Sequence, residues 1–167
     1  MLDTLFDIGE DAEAFGVNLA EFQAAQSDLT AYNVDMGKLA GFTPEEISAL
    51  YAKGMDLLRI GLHKRAVSIF LSLLYLKPFE ARYYRALGMA FHYQREFGWA
   101  RALYGQALVL DPDDRIALAL RAECALYTLS KQTSYEELKS IVEKGARDPV
   151  DAPYIDRARA ILSKIVI

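Results

Sequence analysis

The chain has 167 residues, is 53% hydrophobic, carries a formal net charge of −4 and contains one cysteine, Cys124. Such a length suffices to bury a substantial core, whereas a lone cysteine excludes an internal disulfide and a cysteine metal site. No apolar run approaches the ~18 residues a membrane helix needs, and residues 1–14 lack a basic leader region, so a cytosolic protein without membrane insertion is expected.

Residues 1–37 carry Asp3, Asp7, Glu10, Asp11, Glu13, Glu21, Asp28 and Asp35 with no Lys or Arg, which leaves 19 basic against 15 acidic residues in the remainder. That small basic excess makes a weak phosphate-binding field and argues against nucleic acid as a partner. Residues 18–39 read as a helix with Leu19, Phe22, Leu29 and Tyr32 as its apolar residues, and residues 1–17 add Leu2, Leu5, Phe6 and Ile8. Residues 1–40 are therefore expected to form an acidic helical arm. Its carboxylates suit either a solvated face or packing on a basic surface, and its apolar residues suit either a second copy of the chain or this chain's own groove.

Thr43-Pro44-Glu45-Glu46 places an N-cap before a proline at the first helical position and a glutamate at the third, the pattern of a capping box. Helices are predicted from there over about 44–60, 64–76, 80–94 and 97–110. Asp111-Pro112-Asp113-Asp114 follows; it lacks the ligand spacing of a cation loop and reads as a turn that caps the next helix. Further on, Ser134-Tyr135-Glu136-Glu137 forms another box, which predicts a helix starting there after a longer loop through residues 130–133. A last amphipathic helix over residues 154–166 sets Ile155, Ala158, Ile161, Leu162 and Ile165 on one face.

These segments repeat. Gly54, Ala66, Phe70 and Pro78 recur 34 positions later as Gly88, Ala100, Tyr104 and Pro112. Small residues allow two helices to approach, a ring fills space between repeats, and a proline ends one hairpin and opens the next. A third unit keeps the spacing with Ala122 for the glycine, Leu138 for the ring, Ser134 for the alanine and Ala146 for the proline. That period and pattern identify the tetratricopeptide repeat. The expected fold is an all-α superhelix of helical hairpins, with repeats at about 47–80, 81–114 and 115–148 and a capping helix within 149–167.

In such stacks the first helix of each hairpin lines the concave surface. Counted from Ile47, Ala81 and Arg115, the second, fifth, ninth, twelfth and thirteenth places face inward. The resulting candidates for peptide binding are Tyr51, Met55 and Leu58, then Arg82, Arg85, Met89, His92 and Tyr93, and finally Glu123, Leu126 and Tyr127. Tyrosines, methionines and leucines together make an adaptable apolar trough for a peptide with aliphatic anchors, unless the N-terminal helices fill it as core. Tyr51 and Met55 stand where a clamp for a C-terminal carboxylate needs Lys and Asn, which argues against that partner class. No catalytic group is expected. His63 reads as a surface loop residue, His92 as a hydrogen-bonding group of the groove, and Cys124 as a buried apolar residue with no histidine at helical spacing. No cofactor or metal is implied.

Met36-Gly37-Lys38-Leu39-Ala40-Gly41-Phe42-Thr43, Leu50-Tyr51-Ala52, Ala81-Arg82-Tyr83-Tyr84, Leu87-Gly88 and Ala122-Glu123-Cys124 resemble the class II chaperones of bacterial type III secretion systems. The resemblance runs over roughly residues 36–146. It implies a cytosolic chaperone that keeps a hydrophobic translocator subunit soluble and secretion-competent by gripping a short segment of it in the concave groove, often as a dimer through the arm. A groove tyrosine of the family falls on Tyr51. Its next aromatic falls on Met55, and Pro78-Phe79 replaces a common His-Tyr turn. The reading from repeats alone leaves a second possibility, a scaffold that joins components of a larger assembly.

Overall fold

The computed structural model describes residues 36–165, so all but the last few residues of the expected arm lie outside it. Every element among the described residues is a helix: α1 Met36–Leu39, α2 Pro44–Arg59, α3 His63–Leu76, α4 Ala81–Tyr93, α5 Phe97–Leu110, α6 Arg115–Thr128, α7 Lys131–Lys144 and α8 Ala152–Leu162. They fall into two compact units, one ending at Pro78 and one starting at Phe79.

In the first unit α2 and α3 form a hairpin. The capping box is present in full: Glu46 N donates to Thr43 Oγ1 at 3.2 Å and Thr43 N donates to Glu46 Oε2 at 2.8 Å. This satisfies two of the donors that a helix start leaves unpaired. Ile47 and Leu58 from α2 are buried, as are Ala66, Ile69, Phe70, Leu73 and Leu74 from α3. Gly54 is required by the Phe70 ring. A Cβ at Gly54 would lie 2.6 Å from Phe70 Cε1, nearer than carbon atoms approach.

The second unit repeats the hairpin as α4/α5 and α6/α7 and ends in α8. Gly88 meets Tyr104 as Gly54 meets Phe70, with a Cβ placed 2.7 Å from Tyr104 Cε1. In the third hairpin the smaller Leu138 replaces the ring, and Ala122 fits beside it in one core cluster. The structure thus corrects the expected role of the small residues. The glycine admits the ring of its own hairpin, while Ala100, fully buried, packs with Tyr104, Leu120 and Cys124, the last two from the following helix.

The register of the third hairpin is also corrected. Its second helix does not wait for Ser134: it starts at Lys131, 34 residues after Phe97 and 68 after His63. Ser130 is the N-cap, its Oγ accepting from Thr133 N at 3.2 Å. Ser134 is buried in the alanine place, and its hydroxyl donates to Ser130 O at 2.9 Å, so the added oxygen has a partner. His63, expected in a loop, is the first residue of α3.

The acidic turn caps a helix as read from the sequence. Asp114, buried, accepts from Ala117 N at 2.9 Å and pairs with Arg85 of α4. The last helix begins and ends earlier than expected, at Ala152 and Leu162. Buried Asp151 precedes it and accepts from Arg147 N at 3.0 Å and Asp148 N at 3.2 Å, tying down the loop that follows Gly145. Ile155, Ala158, Ile161, Leu162 and Ile165 then pack with Ala119 and Ala122 of α6 and with Leu138 and Ile141 of α7.

Candidate peptide-binding face

The sequence-derived candidates divide by burial. In the first unit Leu58, expected on the open face, is buried and packs in the core, while Tyr51 and Met55 are half-buried. The Tyr51 ring leans on Phe70, with centroids 6.1 Å apart.

In the second unit Arg82, Tyr93 and Tyr127 are exposed, whereas Arg85, Met89, His92 and Leu126 are half-buried. Glu123 is buried, which corrects its assignment as a groove surface residue. Tyr93 and Tyr127 are 54% and 58% exposed, the first being the last residue of α4 and the second the last but one of α6. Tyr127 is held by Phe97, the first residue of α5, in a stacked pair with ring centroids 3.9 Å apart and an interplanar angle of 10°. Phe97 also meets the edge of His92 at 5.4 Å. The face therefore offers aromatic area fixed in place before any partner arrives, which lowers the ordering cost of binding. Met89 and Ile116 extend it, both packed on the core cluster of Ala100, Tyr104, Leu120 and Cys124.

Charged groups on this face are paired. Arg85 spans to the Asp114 cap, and Arg82 Nε lies 3.4 Å from Glu80 Oε2 while its Nη2 donates to Tyr83 Oη at 3.1 Å. Glu123 pairs with Arg157 of α8. Leu126, expected on the open face, packs instead on the core cluster that α8 completes with Ile155 and Ala158. Two residues that the sequence reading missed adjoin this face: Arg157 through its pair with Glu123, and Tyr154, which packs on both core clusters of the unit. Arg157 follows Glu123 by 34 positions and is the ninth place of a fourth unit. Continuing the repeat count past the third hairpin would have found it.

His92 does bond within the face, but inward. Its Nδ1 lies 3.4 Å from Tyr104 Oη and 3.5 Å from Cys124 Sγ, and its Nε2 lies 3.7 Å from Glu123 Oε1. Helix packing therefore supplies Cys124 with the histidine that its own helix lacks. A thiol, an imidazole and a carboxylate in that order invite comparison with a nucleophilic triad, and electrostatics decides against it. Burial, then the neighbouring Glu123, pushes the Cys124 thiol up to about 12, while burial and then Arg157 push His92 down to about 4. Thiol and imidazole are both neutral near pH 7, and Cys124 has no exposed surface. Burial likewise raises Tyr104 well above the ordinary phenol range.

No protein-family model matches the chain, and no curated protein matches it. Solved structures do. A type III secretion system complex from Aeromonas hydrophila aligns with a TM-score of 0.72 and 23% identity over 84% of this chain and 93% of that one. The Yersinia enterocolitica type III secretion translocator chaperone SycD aligns with a TM-score of 0.70 and 20% identity over 79% and 98% of the two chains. PcrH, from Pseudomonas aeruginosa, in complex with the chaperone binding region of PopB aligns with a TM-score of 0.66 and 24% identity over 73% and 98%. The chain has the all-helical hairpin fold of these proteins.

Proposed function

We propose that this chain is a cytosolic chaperone of a bacterial type III secretion system that binds a hydrophobic translocator subunit and keeps it soluble for export. The carrying observation is the prepared aromatic face of the second unit, Tyr93 with Tyr127 stacked on Phe97, in a fold shared with PcrH bound to a client region. Arg85, Met89 and His92 border that face, and Tyr51 and Met55 are the first unit's own contacts. Binding here needs no chemistry, since the one thiol is buried and protonated, and the proposed activity is that of a holding protein and not of an enzyme. No helix among the described residues is long and apolar enough to cross a membrane, in keeping with a partner that handles the membrane-active subunit from outside the bilayer. We assign the acidic residues 1–40 to homodimerisation, which sedimentation across a concentration and salt series tests.

The test is co-expression with each secreted protein encoded beside this chain that carries long hydrophobic segments. A soluble complex with one of them, and aggregation of that client when expressed alone, is the expected result. Clients that remain soluble alone and never co-purify would refute the reading.

A further inference from the structure

We propose that Glu123 is a shared counter-ion for which Arg157 of the C-terminal helix and His92 of α4 compete, so that docking of α8 and protonation of His92 oppose one another. This rests on the contacts of the second unit and stands whether or not the chain is a secretion chaperone.

The geometry sets the competition. Glu123 has a side chain only 10% exposed, and a buried carboxylate needs a cation or several donors. Two cationic or potentially cationic groups reach the same oxygen, Oε1: the Arg157 guanidinium in a direct ion pair, and His92 Nε2 at 3.7 Å. That distance is too long for a hydrogen bond, so Arg157 holds the carboxylate and His92 stands beside it. The remaining groups around the imidazole are Tyr93 on its own helix, Phe97 and Tyr104 from α5, and Cys124 from α6. Burial and, after it, the Arg157 charge hold His92 neutral, and with Arg157 on the carboxylate a second cation gains little.

Removing Arg157 leaves the carboxylate buried with His92 as the nearest group able to carry positive charge. The imidazole then takes a proton and moves the short distance onto Oε1. The sign follows directly. With α8 docked, burial and then Arg157 depress His92 to about 4, and releasing α8 removes the Arg157 charge and raises it. Protons therefore favour the state in which α8 is released, as pH falls from the ordinary histidine range toward about 4. Glu123, which burial raises, adds its own loss of the Arg157 pair at the acid end.

The chain has two histidines, so imidazole NMR resolves His92 from His63. In the full chain His92 is expected to titrate well below the ordinary range, and in Arg157→Gln its proton affinity should rise by about tenfold or more. The rise should vanish in Arg157→Gln with Glu123→Gln. A readout of folding separates competition from loosened packing. A histidine held below its unfolded value costs stability as pH falls through the ordinary histidine range, and raising it lessens that cost. Acidification from pH 7.5 to 5.5 should therefore cost the parent, relative to His92→Gln, more urea stability than it costs Arg157→Gln relative to Arg157→Gln/His92→Gln. An unchanged His92 titration in Arg157→Gln, or an equal His92-dependent pH response with and without Arg157, would overturn the proposal. Should Arg157→Gln not fold, Arg157→Met, which keeps the apolar stem and removes the charge, tests it by the same titration: His92 must again rise, and no rise refutes the proposal.

Discussion

At the scale of single residues, the repeat is written as a conserved sum of sizes between positions 16 apart. Gly54 with Phe70, Gly88 with Tyr104 and Ala122 with Leu138 each fill one hairpin, and where the ring shrinks to leucine the glycine gains its Cβ. Gly54→Ala should therefore cost about 1–3 kcal/mol by overpacking a fully buried ring, measured by urea unfolding. Adding Phe70→Leu should recover part of that loss by rebuilding the third hairpin's pair, and strict additivity of the two losses would show that they do not share space. A second position follows from the turns. Gly61 and Arg95, 34 apart, both adopt positive φ, 83° and 65°, between the helices of their hairpins. Arginine is strained there and glycine is not, so Arg95→Gly should raise stability by about 0.5 kcal/mol, the relief of strain exceeding the greater freedom of glycine in the unfolded chain. A melt that falls would show that the Arg95 side chain contributes more than its backbone costs.

At the scale of elements, what the sequence disclosed was the period, and what it concealed was which cap wins. The second helices start at His63, Phe97 and Lys131 and end at Leu76, Leu110 and Lys144, each set 34 apart. The third was misplaced because Ser130 and Ser134 both have the chemistry of an N-cap, and local chemistry cannot choose between them. Packing does: a start at Ser134 would remove that residue from the alanine place, where burial beside Leu138 and Ile141 holds it inside the helix. The first helix of the third hairpin had no such rival. Asp114 caps it and also neutralises Arg85, so Asp114→Ala should cost about 2 kcal/mol, combining a lost cap with an arginine left without its carboxylate. Asp114→Asn keeps the cap and loses only the charge, and should cost about half as much. Equal losses in thermal or urea unfolding would mean that the Arg85 pair contributes nothing measurable.

At the scale of the whole molecule, the binding face was legible in part, because repeat counting gives the direction of a side chain but not what covers it. Tyr93 and Tyr127 emerged at the surface as counted; Leu58 was counted onto the concave face and lies in the core; Glu123 and Leu126 were counted onto that face too, but Glu123 is buried in its pair with Arg157 and Leu126 packs on the cluster that α8 completes. The cover could not be weighed without knowing where the last helix docks, and its docking residue Arg157 carries no mark of that role beyond its repeat position. The division yields the last prediction. Tyr93→Ala and Tyr127→Ala remove rings that are more than half exposed, so each should leave helical content unchanged while weakening binding of the client segment by about 2 kcal/mol or more, as truncated aromatic anchors do. Tyr127→Ala also strips the stacked partner from Phe97 and should cost more than Tyr93→Ala where the client touches both. Leu58→Ala opens a buried site and should instead lower unfolding stability by about 2–5 kcal/mol. Its effect on binding should then follow only the fraction of chain unfolded. Calorimetric titration of client into the three variants, with circular dichroism on the same samples, separates the two classes. Tyrosine variants that unfold, or that bind as tightly as the parent, would move the client off this face.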